Sequence, residues 1–167
     1  MAEVPGTNLW FTHFTSCIEE EEFEERWTLN FNYNLQKELD AQRRAEGWKI
    51  YITSSFAKFT CRRCSNSWSS SRASMLFHYR LGRKSGLVLL RLFRQQCREC
   101  NNPIQHKPQV NSDQMDQVLD RLILKILKNC YGVPNLVEEG RVVIHRKTKP
   151  HESDLCEACR LGMCNQS

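Results

Sequence analysis

Hydrophobic positions along the chain change period several times, and each change predicts an element. In residues 8–26, Trp10, Phe14 and Ile18, flanked by Phe11 and Cys17, recur at helical spacing, with the glutamates of Glu19–Glu25 on the polar side. This predicts an amphipathic helix packed on the domain edge, its acidic face in solvent, with service as a docking helix for a partner as the second reading. From Thr28 to Leu35 the period becomes two: Leu29, Phe31, Tyr33 and Leu35 alternate with Thr28, Asn30, Asn32 and Asn34, as in a half-buried strand. A charged link, helical or irregular, runs through Arg44. "GWKIYIT" then alternates again, with Trp48, Ile50 and Ile52 on one face, and "SSFAKFTC" leads as a further strand into Cys61.

Downstream, Trp68–Ser71, "SMLFHYR" and "LVLLRLFRQQC" read as strands with a turn around Gly82–Gly86. A strong helix follows. Asn111 or Ser112 caps it, and Gln114 holds the capping-box position if Asn111 is the cap. Met115, Val118, Leu119, Leu122, Ile126 and Leu127 form its apolar face, and Gly132 and Pro134 end it. "RVVIH" reads as a last strand. Neither a repeat nor a low-complexity linker divides the chain. The expectation is one α+β domain over residues 1–167: an N-terminal helix at 8–26, a zinc-binding body at 45–164 built on an antiparallel sheet, and a long helix before the last cysteine motif.

Composition changes this picture at two points. Lys and Arg number 24 against 19 Asp and Glu, but the run Glu19–Glu25 holds six of the acids, so the remainder opposes 24 basic groups with 13 acidic ones. Such a cationic body attracts nucleic acid, anionic headgroups or acidic protein surfaces, and charge alone does not choose among them. Nine cysteines in 167 residues are unusual, and their odd number argues against a fully paired disulfide framework. The N-terminus has no basic n-region, apolar run or cleavage site of a secretory signal, and the longest apolar stretch, "GLVLL", is far short of the roughly 20 residues of a membrane span. The chain is expected in the reducing cytosol, where CxxC pairs serve as metal ligands more often than as disulfides.

Three CxxC pairs carry the chemistry. Thiolates at i and i+3 on a tight turn converge on one tetrahedral metal, and soft sulfur suits Zn²⁺. Cys61/Cys64 and Cys97/Cys100 each close a predicted strand and together supply four ligands, although the 32 residues between them exceed the roughly 15–20 of compact ribbons. The intervening chain must therefore carry extra strands. His151, Cys156, Cys159 and Cys164 crowd into fourteen residues near the C-terminus and would form a second site, its metal substituting for missing hydrophobic burial. Gly162 would let the chain turn back to bring Cys164 to the metal. The expectation is two structural Zn²⁺ ions with this sequential partition. The alternative is a crossed one, in which Cys156/Cys159 complete a site with Cys61/Cys64.

Other readings of these residues are weaker. Redox CxxC motifs come singly beside a βαβ pattern that is absent here. Cys130 and Cys17 read as packing residues, with a ligand role for Cys130 if His151 is not one. His13, His78, His106 and His145 lack a cysteine at ligand spacing and read as ordinary core or surface histidines. Catalysis is not expected. His151 is followed by Glu152–Ser153 and Cys156 is preceded by Asp–Leu, unlike the H-x-E and P-C-x-x-C of zinc deaminases. HExxH, GxSxG and P-loop patterns do not occur, and eight ligands in two closed sites leave no open position for water.

The ordered set "GWKIY", "FTCRRCSNSWSS", "LVLLRLFRQQCREC", "LKNCYG" and "PHESDLCEACRLGMC" resembles the receptor-transporting protein family and its three-CxxC zinc-finger domain over essentially the whole chain. The resemblance implies a non-enzymatic zinc protein whose metal ligands fall on Cys61, Cys64, Cys97, Cys100, His151, Cys156, Cys159 and Cys164. It implies binding to G-protein-coupled receptors of the odorant and taste type and promotion of their passage from the endoplasmic reticulum to the plasma membrane. One branch of the family is interferon-induced, antiviral and associated with viral RNA. Many members continue into a tail that ends in a membrane-spanning helix, whereas this chain stops at "CNQS". Its own membrane association is therefore expected to be peripheral, or through a tail it does not carry, at the cytosolic face of the endoplasmic reticulum or plasma membrane.

Two function classes follow. The first is a receptor-binding adaptor with no small-molecule substrate. The second is a binder of single-stranded RNA: Arg62, Arg63, Arg72, Arg80, Arg83, Lys84, Arg91, Arg94 and Arg98 are interleaved with Trp68, Phe77, Tyr79 and Phe93. Cations for phosphates beside aromatics for stacking suit that ligand. Against it, Arg91 and Arg94 flank a strand's buried face, and Trp68 reads better as core than as platform.

Overall fold

The alternating segments form a four-stranded sheet in the order β1-β4-β3-β2, comprising β1 (Arg26–Phe31), β2 (Lys49–Thr60), β3 (Ser67–Leu81) and β4 (Ser85–Leu92). The structure is a computed structural model and describes residues 7–100, 104–133 and 156–161. Lys49 pairs with Tyr79 and Thr60 with Ser67 along one antiparallel ladder, broken only by a bulge between Ser55 and Ala57. The two segments read as separate strands are thus one, because a bulge bends a strand without ending it. β3 and β4 form a tight antiparallel hairpin from Met75↔Leu92 to Leu81↔Gly86. β1 departs from the antiparallel expectation. It lies parallel to β4, in register from Arg26↔Ser85 to Phe31↔Leu90.

Both faces of β3 are covered, which explains its unbroken burial from Ala73 to Tyr79. On one face Met75, Phe77 and Tyr79 join Val88 and Leu90 beneath two helices, α1 (Thr7–Glu21) and α3 (Ser112–Cys130). α1 delivers Trp10 and Phe14 to this core. α3 delivers Met115, Val118, Leu119, Leu122 and Ile126, together with Ile123, which its sequence pattern did not single out. Leu127 is only partly buried at its edge. Asn111 caps α3, its Oδ1 accepting from the Gln114 N–H at 2.9 Å, while the Gln114 side chain accepts from the Ser55 hydroxyl. Gly132, at φ +68°, ends the helix in the left-handed conformation that glycine adopts without strain.

The opposite face buries Leu76 with Leu35, Phe93, Cys156 and Ala158. Cys156 bridges to Gln95, and the single turn α2 (Ala41–Ala45) and the short α4 (Glu157–Arg160) belong to this side of the chain's path. Two buried polar groups tie the connecting segment down. His78 Nε2 lies 2.8 Å from the Gln36 carbonyl, with Arg43 on Nδ1, so the imidazole is neutral and donates through Nε2. Arg91 donates to the Leu35 carbonyl at 2.8 Å.

Three boundaries differ from the sequence pattern, each for a local reason. α1 stops at Glu21, not at residue 26, because Glu22 takes φ +53° and turns Phe23 back to stack on Tyr131 at 4.7 Å. β1 starts at Arg26 and ends at Phe31, because the Asn32 side chain accepts from the Asn34 N–H and makes an Asx turn. Gly86 lies inside β4 rather than in the turn, with the Trp27 indole packed directly over it. The predicted strand "RVVIH", Arg141–His145, lies outside the described residues.

Candidate metal centre

The first CxxC pair sits on the β2–β3 connection. Asn66 accepts from the Cys61 N–H at 2.8 Å and Cys61 accepts from the Ser65 N–H at 2.9 Å, closing a tight turn that Ser65 completes at φ +62°. The second pair follows β5 (Gln95–Gln96), which pairs antiparallel with β6 (Gln105–His106). Two contacts hold the hairpins together. Trp68 stacks on Phe59 with ring centroids 5.5 Å apart and donates its indole N–H to Gln95 at 3.0 Å. A bridge between Lys58 and Gln109 adds two backbone hydrogen bonds. The long β3–β4 hairpin between the pairs is what returns the chain from Cys64 to Cys97.

These loops bring the Sγ atoms of Cys61, Cys64, Cys97 and Cys100 within 4.8 Å of one another. Cys61 and Cys100 approach to 3.6 Å, and Cys64 and Cys97 to 3.7 Å. Disulfide sulfurs lie about 2.05 Å apart, and none of the described cysteines is in a disulfide. Four sulfurs about 2.3 Å from a central Zn²⁺ would sit about 3.8 Å apart along the edges of a tetrahedron. The spacing fits zinc. Cys61 and Cys97 are buried, Cys100 is half-buried and Cys64 is exposed, so the cluster opens to solvent on the Cys64 side, giving an entry path for the ion.

The sulfurs do not share protons equally. A hydrogen bond from the Cys64 backbone, set against burial and joined by one from Arg63, brings Cys61 down to about 6. Cys97 is also lowered: burial opposes the thiolate, but the backbones of Glu99 and Cys100 overcome it. Cys64 accepts a backbone hydrogen bond from Asn66, yet burial and the hydrogen bonds to its three neighbouring sulfurs push it up to about 12. Thiols whose proton affinity is lowered in this way favour a divalent cation, whose charge would displace the remaining protons. Asn66 Nδ2 lies 3.7 Å from the Cys97 sulfur and steadies it. Neither spacing nor residue type singles out Asn66 in the sequence, since its role depends on a turn seen only in the fold.

Of the remaining predicted ligands, the structure describes the surroundings of Cys156 alone. The structure groups Cys61 and Cys64 with Cys97 and Cys100, not with Cys156. Cys156 is buried against the second core cluster. Cys159 lies within α4, and His151 and Cys164, with Gly162 and His145, lie outside the described residues. Cys130 packs on the main core, and burial raises its thiol. Burial, and then the carboxylates of Asp120 and Asp116, push Cys17 up to about 12. Neither joins the cluster. α4 is instead anchored by Glu157, which receives the Arg94 side chain at 2.7 Å, the Arg94 backbone N–H at 3.0 Å and Arg91 at 3.4 Å.

Of the aromatic residues offered for base stacking, Phe77, Tyr79 and Phe93 are buried and Trp68 is half-buried. Phe77 and Tyr79 lie in the main core, Phe93 in the second cluster, and Trp68 has one face on Phe59 and its edge toward His106. Arg91 is buried as well. Among the described residues, no helix is long and apolar enough to cross a membrane.

Comparison with known proteins agrees with this geometry. A family model described as a zinc-binding domain, the three-CxxC zinc ribbon, matches residues 54–162. Receptor-transporting protein 3 of Mus musculus is 34% identical over 170 residues, covering 99% of this chain and 35% of its own length. Receptor-transporting protein 4 of Homo sapiens is 34% identical over 161 residues, covering 94% of this chain and 64% of its own. Receptor-transporting protein 1 of Homo sapiens is 28% identical over 98% of this chain and 62% of its own. The chain thus spans between about a third and two-thirds of these relatives. No solved structure matches. A family model over well over half of the chain, relatives aligned along nearly all of it, and four thiols gathered by two hairpins lead to one conclusion: the chain belongs to the receptor-transporting protein family and carries its three-CxxC zinc-binding domain.

Proposed function

We propose that this chain is a non-catalytic adaptor, held in shape by two zinc ions, that binds G-protein-coupled receptors of the odorant and taste type and promotes their delivery to the plasma membrane. Cys61, Cys64, Cys97 and Cys100 hold the first ion; His151, Cys156, Cys159 and Cys164 hold the second. The observation that carries the reading is the four-thiol cluster itself. Four sulfurs complete a tetrahedral shell and leave no position for an activated water, so the metal's work is to fix two loops. Function then belongs to the surface those loops support. The names of the relatives supply the receptor, and the cationic body suits the cytosolic face of the endoplasmic reticulum or plasma membrane, where acidic segments and anionic headgroups lie. An RNA-binding role, the alternative, keeps its cations, but three of the four aromatics named for stacking, Phe77, Tyr79 and Phe93, are buried.

The test is co-expression with poorly exported odorant and taste receptors, read as surface receptor by flow cytometry. The chain should raise surface levels of at least one of them. Cys61→Ser should abolish the effect, and Cys130→Ser should retain it. A folded, zinc-loaded chain that exports no receptor in the panel yet binds single-stranded RNA with steep salt dependence would overturn the proposal.

A further inference from the structure

A second concave feature lies beside the four-cysteine centre and is unused by it. Arg62 of the first knuckle, Arg94 at the end of β4, and His106 and Lys107 at β6 line a cavity of about 410 Å³, with Ile104 also in its wall. The Lys107 ammonium sits 4.3 Å from the Tyr33 ring. Burial lowers its affinity for the proton, and Arg94 and Arg62 lower it further, a sign that three cations crowd one space. Glu157 compensates Arg94. Arg62 and Lys107 form no ion pair among the described residues. The buried His106 adds an Nε2 without a hydrogen-bond partner among the described residues. Like charges held this close, with a polar atom left over, are relieved by an anion.

The wall also identifies the kind of anion. Ile104 is 54% exposed, the largest exposure among the described large hydrophobic residues. An aliphatic side chain beside a cationic pocket suits the boundary between headgroup and acyl chain, where apolar groups enter as cations hold phosphate. A base would need a free aromatic face, and the nearest rings are engaged: Tyr33 stacks on Phe31 and lies under Lys107, and Trp68 stacks on Phe59. We propose that this pocket binds the phosphates of a polyanionic inositol-lipid headgroup through Arg62 and Lys107, with Arg94 and His106 behind them and Ile104 entering the bilayer surface. The site would orient the zinc-ribbon end toward a membrane. It does not depend on which cargo the chain carries.

Flotation of the zinc-loaded chain with phosphatidylcholine vesicles, with and without phosphatidylinositol bisphosphate, tests this. Binding should appear only with the bisphosphate. Arg62→Gln/Lys107→Gln should weaken it at least about tenfold, since each cation near an anionic surface contributes separately. Arg83→Gln/Lys84→Gln, which removes the same charge from the exposed β3–β4 turn, should change it by less than about twofold. Ile104→Ser, which removes the apolar side chain without adding charge, should weaken vesicle binding and leave binding of soluble inositol trisphosphate unchanged. Zinc content is measured on every variant, and Lys107→Gln alone decides if Arg62→Gln loses metal. Equal losses in the two charge pairs would reduce the effect to net charge and overturn the proposal. So would vesicle binding indifferent to Ile104→Ser, absence of binding to bisphosphate vesicles, or loss in the pocket variants of RNA binding alone.

Discussion

Replacing Gly86 with alanine should destabilise this protein even though the backbone permits it. Gly86 lies in β4 outside the left-handed region, so a conformational argument alone makes Gly→Ala stabilising by about 0.4–1 kcal/mol through the unfolded chain. Packing says the opposite. A Cβ at 86 would fall 2.2 Å from Trp27 Cδ2 and 2.3 Å from Cε2 and Cε3, against 3.4 Å for ordinary contact. The indole must therefore retreat by more than about 1 Å from a core in which it is only 5% exposed. Retreat strains its 3.0 Å hydrogen bond to Tyr131, whose hydroxyl in turn donates to Glu25 at 2.6 Å. Overpacking costs about 1–3 kcal/mol and a lost hydrogen bond about 1 kcal/mol, so the expected loss is about 3 kcal/mol. For a domain of this size that lowers the melting temperature by about 6–12 °C. Thermal and urea unfolding measure it. A cycle with Trp27→Leu isolates the cause: Gly86→Ala should cost far less once the indole is gone. A Gly86→Ala protein as stable as wild type, or additive effects in the cycle, would refute the packing argument.

Other expectations concern the polar anchors and the thiols. Glu157→Gln should cost about 2 kcal/mol at neutral pH, below the 3–5 of a fully buried pair because Arg94 is 40% exposed. Burial works against its ionisation, but the Arg94 hydrogen bonds and the charges of Arg94 and Arg91 hold the carboxyl below its ordinary value of 4.5. The stabilisation is therefore complete above about pH 4.5 and is lost as pH falls through the lower folded value, so wild type and variant should converge in acid unfolding experiments. A constant gap at all pH values would contradict the ion-pair account. Cys97→Ser should lower both zinc content and melting temperature, whereas Cys130→Ser should lose only packing, about 1 kcal/mol or less, and keep its zinc. Equal zinc loss in the two variants would count against the ligand assignment.

The parts of the fold that were legible from sequence are those whose signal is local. Asn111 and Gln114 announce the start of α3, and its period of apolar residues identifies six side chains facing the core or its edge. The thiols are legible because two turns of CxxC spacing have few other uses. What escaped depends on distant partners. The glutamate run after α1 favours helix, but Phe23 is claimed by Tyr131, more than a hundred residues away, and the helix stops short. Thr28–Leu35 alternates as one strand would, yet its last residue serves the second core cluster, so the strand ends at Phe31. Parallel pairing of β1 with β4 leaves no mark in either segment. The sequence leaves His78 as core or surface and sets Arg91 only beside a strand's buried face. They are buried because the chain from Leu35 to Gln36 crosses that face and offers its carbonyls. Asn66 and Glu157 are ordinary polar residues until the fold gives them a sulfur and two arginines.

The most direct test of the account is the zinc content of purified, reduced protein, measured by elemental analysis alongside a free-thiol count. The two sites proposed above predict two zinc ions per chain, with one retained when Cys61 and Cys97 are both changed to serine, if His151, Cys156, Cys159 and Cys164 form a set of their own. Well below two zinc ions per chain in wild type, with the thiols paired as disulfides, would contradict it.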